Sequence, residues 1–252
     1  MPPAPTVVGD GPQKVLALHG WFGSATGWGP LPDLVDGDRY RYAFVDYRGY
    51  GARRGETGEY SLAEISRDAL AAVDALGWSS FAVLGHSMGG SAMQRVLLDG
   101  GGRVTGLIGV SPVPSTGVPF DEASWQLFSG AAEKREARYA IIDMTTGGRL
   151  SSTWIDRMVS ASLEDSDPEA FGAYLEAWAH TDFAAEVAGN PTPVLAVVGQ
   201  HDPALGAAVM EQTFLQQYPN ASLEVLANAG HYAMFETPVA LLTSIERFLD
   251  QL

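Results

Sequence analysis

Short aliphatic runs punctuate the chain: Val15 to His19, Tyr42 to Asp46, Phe81 to Gly85, Gly106 to Ser111, Val194 to Gly199 and Leu223 to Ala227. Such runs are too apolar for strands with one wet face, and they predict strands covered on both sides. Between several of them the apolar period changes to 3.6 residues. Leu62, Ile65, Ala69, Val73 and Leu76 make one helical stripe over Ser61 to Leu76, with Ser61 and Glu64 spaced as a capping box and Gly77 as the stop. Towards the end of the chain, Thr237 is placed to cap a helix that opens on Pro238 and carries Leu241, Leu242, Ile245, Phe248 and Leu249 on one side. Strands and helices alternating in this way predict an α/β fold whose central sheet is mostly parallel, joined by right-handed crossovers and flanked by helices.

The alternation fails between Pro112 and Phe183. That stretch holds helical patterns near Asp121 to Met144, Ser151 to Leu163 and Pro168 to His180, and strand patterns resume only at Val194. The spacing predicts a helical cap, residues 112–183, inserted into a core made of residues 1–111 and 184–252. It would sit over the carboxyl edge of the sheet, where sheets of this kind hold their ligands.

Composition narrows the function classes. The chain has 252 residues, 46% hydrophobic and 18% charged, which suits one large domain with an insertion and argues against disorder. Fifteen basic residues against 30 acidic ones leave a net charge of −15, the wrong sign for a nucleic-acid partner or an anionic membrane surface. No run approaches the roughly 18 apolar residues that span a bilayer. Met1 to Pro5 show neither the basic nor the apolar region of a secretory leader, so the expected compartment is cytoplasmic. The absence of cysteine removes disulfides, thiolate metal sites and a cysteine nucleophile together.

The chemistry-bearing candidates fall at strand ends. Gly85-His86-Ser87-Met88-Gly89-Gly90 contains Gly-x-Ser-x-Gly, a weak pattern alone in so Gly-rich a chain. Here a strand runs directly into it and a helical segment leaves it, which is the strand–turn–helix context of a nucleophile elbow with Ser87 at its tip. A serine nucleophile needs a base. Of the five histidines, His231 follows the last strand in Asn228-Ala229-Gly230-His231 and can reach the carboxyl edge; His19, His86, His180 and His201 have structural readings, His86 pointing away from the nucleophile. The base needs an orienting carboxylate. Asp202, in Gly199-Gln200-His201-Asp202-Pro203 after the strand Val194 to Val198, is the favoured acid, with Asp121 and Glu122 as the fallback. Two N–H donors for a tetrahedral oxyanion are expected from Met88, after the nucleophile, and from Trp21 in His19-Gly20-Trp21.

Taken with Asp46-Tyr47-Arg48-Gly49-Tyr50-Gly51 and Gly230-His231, these landmarks, in order and spacing from residue 19 to 231, resemble those of the α/β-hydrolase superfamily, specifically its capped bacterial serine esterases. The resemblance implies a Ser87–Asp202–His231 triad, an oxyanion hole at Trp21 and Met88, no metal and no organic cofactor. A Trp and a Met at the oxyanion positions, with Thr181-Asp182-Phe183 closing the cap, are similar to the arylesterase and perhydrolase-like members. The expected activity is hydrolysis of a carboxylic ester or lactone, with carbon–carbon bond hydrolysis and cofactor-free perhydrolysis as rivals on the same residues, and a receptor that keeps the triad as a rival of another class. In the cap, acidic residues outnumber the cations Lys134, Arg135, Arg138, Arg149 and Arg157, and aromatic residues are frequent. That composition favours a neutral, largely apolar or aromatic small-molecule substrate, with Trp125, Trp154 and Trp178 as the candidate pocket residues.

Overall fold

A computed structural model describes residues 4–252; the first three residues of the Met1 to Pro5 stretch lie outside it. Seven strands, β1 (Thr6–Val8), β2 (Gln13–Leu18), β3 (Tyr40–Val45), β4 (Phe81–His86), β5 (Val104–Val110), β6 (Val194–Gly199) and β7 (Ala221–Leu226), form one sheet in the order β1-β3-β2-β4-β5-β6-β7. Only β1 runs antiparallel to its neighbour β3; every other pairing is parallel. The short antiparallel edge is all that Thr6-Val7-Val8 can supply.

Burial follows position in the sheet. β4 and β6 are buried at every residue, as continuous apolar runs in a two-face-covered sheet should be. β7 departs from that expectation: only Leu226 is buried and Val225 is 48% exposed, because the strand is an edge with a neighbour on one side alone. Ala221, Leu223 and Glu224 are partly covered, and Ser222 is exposed like Val225.

The first predicted helix spans Leu62–Ala75, and Ser61 Oγ accepts the Glu64 N–H at 3.1 Å. The Glu64 carboxylate turns one residue further back than a capping box requires and takes the Tyr60 N–H at 3.0 Å. The last helix, Pro238–Leu249, begins where expected but without its side-chain cap: Thr237 Oγ1 is buried and unpaired, while the Thr237 N–H closes the preceding Ala233–Glu236 turn on Ala233 O at 2.9 Å. Thr237 is shared between two helical turns, so its backbone is committed before its hydroxyl can reach a free N–H.

Between β5 and β6 the chain is helical. The predicted Asp121 to Met144 helix is two, Glu122–Gly130 and Arg135–Thr145, followed by Ser152–Asp165 and Pro168–Ala179. The break at 131–134 is closed by Ala131 and Lys134 N–H groups on Phe128 O and Gly130 O, and Arg138 folds back to donate Nε–H to Ala131 O at 2.8 Å. This segment is tied to the loop after β3. Asp167 N–H donates to Gly49 O at 2.8 Å, and Ser166 bridges Tyr50. Asp46 steadies that same loop by accepting the Ala25 and Ala52 N–H groups. Among the described residues no helix is long and apolar enough to cross a membrane.

Candidate active site

Ser87 sits between β4 and the Met88–Gly100 helix with φ 54° and ψ −117°, a conformation that costs a non-glycine residue on the order of 1–3 kcal/mol. Its surroundings hold it there. The Ser87 N–H donates to Val110 O at 3.0 Å, and Ser87 O accepts Gly90 N–H at 2.7 Å and Val113 N–H at 2.9 Å. The two motif glycines are required by contact: a Cβ at Gly85 would lie 2.2 Å from Gly89 O, and one at Gly89 would lie 2.2 Å from Leu18 O. Any side chain at either position would push strand and helix apart.

His231 lies in the loop after β7, with Nδ1 2.7 Å from Asp202 Oδ2. Both residues are only 6% exposed. The other Asp202 oxygen accepts the Ala204 and Leu205 N–H groups at 2.9 and 3.1 Å, which aims the carboxylate. Burial alone would push this carboxyl up; the facing His231 and the two N–H donors outweigh it and hold the group below the ordinary carboxylate range. An anionic Asp202 on Nδ1 leaves His231 Nε2 as the free proton acceptor. The fallback acids are not brought here: Asp121 caps its own helix on the Ser124 N–H at 2.7 Å, and it and Glu122 are exposed.

The His19-Gly20-Trp21 loop passes close over Ser87. A Cβ on Gly20 would lie 2.6 Å from His86 Nδ1 and 3.1 Å from Ser87 Cβ, so glycine permits the approach. Among the described residues neither the Trp21 nor the Met88 N–H has a protein acceptor. The loop is pinned from behind, Tyr47 OH donating to His19 O and Tyr50 OH to Trp21 O, each at 2.9 Å. The Trp21 indole donates to Phe171 O at 2.7 Å and stacks on the Phe171 ring at 4.0 Å.

Ser87, His231 and Trp21 line one cavity of about 60 Å³. Its walls are Phe22, Val113, Val118, Phe120, Phe128, Ile141, Trp178, Ala204 and Leu205, with Thr145 and Tyr232 as further polar members. Of the three tryptophans expected to line the pocket, Trp178 does. Trp125 instead packs on Phe120 and His180, and Trp154 against Tyr232 and Phe235, each one residue removed from the cavity wall. Among the described residues no hydrogen bond joins Ser87 Oγ to His231, whose Nδ1 is taken by Asp202; side-chain bonds within such a site are often long and tighten when a ligand is bound.

Sequence reasoning undervalued His86. Its ring does not turn away from the site but lies 5.0 Å from that of His231, with Nε2 3.0 Å from His231 O. Burial, reinforced by His231, pushes its imidazole down to about 3, so it stays a neutral donor to that carbonyl. His19 is buried against Tyr47, while His180 is exposed beside Glu176. Among the described residues no group of three or more His, Asp or Glu side chains is arranged to hold a metal ion.

A strand–elbow–helix on a mostly parallel sheet, with an acid and a histidine supplied by the ends of later strands, defines a hydrolase class. The chain belongs to the α/β-hydrolase fold family, whose model matches residues 14–238. It is 27% identical to the pimeloyl-(acyl-carrier protein) methyl ester esterase of Serratia marcescens, with 96% of each chain covered. It is 28% identical to 3-oxoadipate enol-lactonase 2 of Acinetobacter baylyi over 85% of this chain and 80% of that one. Among solved structures, an esterase from Exiguobacterium antarcticum shares the fold with a TM-score of 0.87 at 19% identity, covering 97% of this chain and 94% of that chain.

Proposed function

We propose that the protein is a serine hydrolase that cleaves a neutral, largely apolar or aromatic carboxylic ester or lactone through an acyl-enzyme. The observation that carries this reading is the coincidence of the Ser87 elbow and the Asp202-held His231 on a single apolar cavity. None of the cations Lys134, Arg135, Arg138, Arg149 or Arg157 lines that cavity. Arg135 is paired with Asp156, Arg149 with Glu236, and Arg138 is spent on Ser162, Ser166 and the face of Phe171. An anionic substrate group would therefore enter without a counterion. Relatives named for methyl-ester and enol-lactone cleavage support the same reaction class.

In this reading Ser87 Oγ adds to the carbonyl carbon as His231 Nε2 takes its proton. The Trp21 and Met88 N–H groups donate to the carbonyl oxygen as negative charge develops on it. The imidazolium, stabilised by Asp202, gives the proton to the departing alkoxide oxygen, and a water then repeats the sequence to release the acid and restore Ser87. Residues 112–183 act as a lid: they contribute Phe120, Phe128, Ile141 and Trp178 to the pocket and exclude water from the acyl-enzyme.

The test is fluorophosphonate labelling followed by peptide mapping, alongside hydrolysis of matched ester, lactone and diketone panels. Stoichiometric labelling at Ser87 is expected, with Ser87→Ala losing roughly 10⁶-fold and Asp202→Asn roughly 10⁴-fold in kcat. Labelling elsewhere, or an active Ser87→Ala, would refute the mechanism; preference for diketones would move the reaction to carbon–carbon cleavage on the same residues.

A further inference from the structure

The three consecutive N–H groups around His231 all find acceptors outside the sheet. Gly230 N–H donates to Glu236 Oε2 at 2.8 Å, His231 N–H to Thr145 O at 3.1 Å, and Tyr232 N–H to Glu236 Oε1 at 3.2 Å. One carboxylate thus spans the histidine, holding the peptide on either side of it. Glu236 is deeply buried, its side chain 3% exposed, and a buried carboxylate needs a partner. Arg149, from the helical insertion, ion-pairs with it through Nη2 and donates Nε–H to Thr146 O at 2.9 Å, beside the residue that accepts the His231 N–H.

Space confirms the fit. A Cβ on Gly230 would lie 2.8 Å from Thr146 Cα and 3.2 Å from Glu236 Oε1, while one on Gly199 would lie 2.1 Å from Gly230 O. The His231 loop is therefore clamped between the end of β6 and the end of the Arg135–Thr145 helix, with no slack on either side.

We propose that Glu236, held by Arg149, is a positioning residue for His231, and that the insertion thereby sets the base as well as covering the pocket. The proposal rests on reading His231 as the general base. Neither Glu236 nor Arg149 lines the cavity, so neither has a route to touch substrate. Their effect passes through the height and tilt of the imidazole over Ser87, where a displacement of the order of 1 Å costs about 100-fold in rate.

The experiment compares Glu236→Gln, Arg149→Met and Arg149→Lys with His231→Ala and the wild type. Steady-state kinetics, the rate of Ser87 labelling by a fluorophosphonate and the downfield proton resonance of the Asp202–His231 hydrogen bond are read together. Glu236→Gln is expected to lower kcat and the labelling rate about 10- to 100-fold with KM changed less than about threefold, and Arg149→Met to do the same about tenfold. The downfield resonance should shift or broaden in both, and Arg149→Lys should recover part of the rate. If Glu236→Gln fails to fold, the half-buried Arg149 pair of variants decides alone. Folded variants with kcat and resonance unchanged would overturn the proposal; so would equal losses in stability and rate with an unshifted resonance. An active His231→Ala would instead overturn the proposed function, so the two failures are distinct.

Discussion

His19 Nδ1 lies 2.8 Å from the carbonyl oxygen of Gly20, and that carbonyl shares its peptide unit with the Trp21 N–H. The Tyr47 N–H points at His19 Nε2 at 3.4 Å, which assigns the proton to Nδ1 and makes the ring a donor. Burial holds the imidazole below its ordinary pKa, so the ring stays neutral and the tautomer is kept. Grasping Gly20 O from one side orients the N–H on the other.

His19→Ala should therefore lower kcat about 10- to 100-fold, less than the 10²- to 10³-fold loss on deleting an oxyanion donor outright, because the N–H remains but its direction loosens. The check is affinity for a trifluoromethyl ketone or boronate set against KM for the matching ester. Transition-state-analogue affinity should fall with kcat while KM holds. Parallel loss of analogue affinity and KM would assign His19 to ground-state packing.

Acid should destabilise the fold from about pH 6.5 downward. His86 has a folded value of about 3 against 6.5 when unfolded, and His19 is lowered in the same direction. Between those values the unfolded chain binds protons that the folded chain refuses, so stability is fully present above about 6.5 and declines as pH falls towards the folded values. Each histidine contributes a slope of at most about 1.4 kcal/mol per pH unit. Asp202, depressed below its ordinary 3.8, adds a second loss at still lower pH. Urea unfolding at pH 8, 6, 5 and 4 measures the slope, and His86→Gln should remove about one proton from it. A flat profile between pH 6.5 and 4.5 would contradict the assignment of both rings as neutral.

Trp178 and Trp154 should separate by function. Trp178 forms part of the cavity wall and its indole N–H is buried without an acceptor, whereas Trp154 packs on Tyr232 and Phe235 outside the cavity. Trp178→Ala should change the ratio of kcat/KM for an aromatic ester over an acetate ester by about tenfold or more, the scale set by changes in pocket volume. Trp154→Ala should leave that ratio nearly unchanged and lower the melting temperature. The opposite ranking would relocate the acyl pocket towards the Ser152–Asp165 helix.

What the sequence made legible was whatever local pattern alone determines. β4 and β6 could be read because strands buried on both faces have no polar positions to confuse them, and Ser87 and Asp202 stood out because they lie within a few residues of the ends of those strands; His231 stood out only by its place in the loop between the last strand and the final helix. The aromatic helices were less readable. With aromatic residues on several faces, phase alone does not say that Trp178 meets the cavity while Trp125 meets His180. The break at 131–134 was hidden because Gly130 is a single weak stop followed at once by helix formers; Arg138 reaching back to Ala131 O stabilises the break from beyond it. Glu236 was missed for a similar reason. Five residues after a loop histidine and two before Pro238, it reads as a helix-start acid, and only the folded loop turns its carboxylate onto Gly230 and Tyr232.

The distance along the chain between Ser87 and His231 has a meaning for biosynthesis. His86 and His231, which touch in the folded protein, are 145 residues apart. A ribosome working from the N-terminus delivers β2, β3 and β4, and with them the tight turn at Ser87, long before the loop after β7 exists. The nascent chain thus carries Ser87 for most of its synthesis without His231 beside it. Under the proposed mechanism hydrolytic power would arrive only when β7 docks at the far edge of the sheet, and a half-made copy would be chemically silent towards esters.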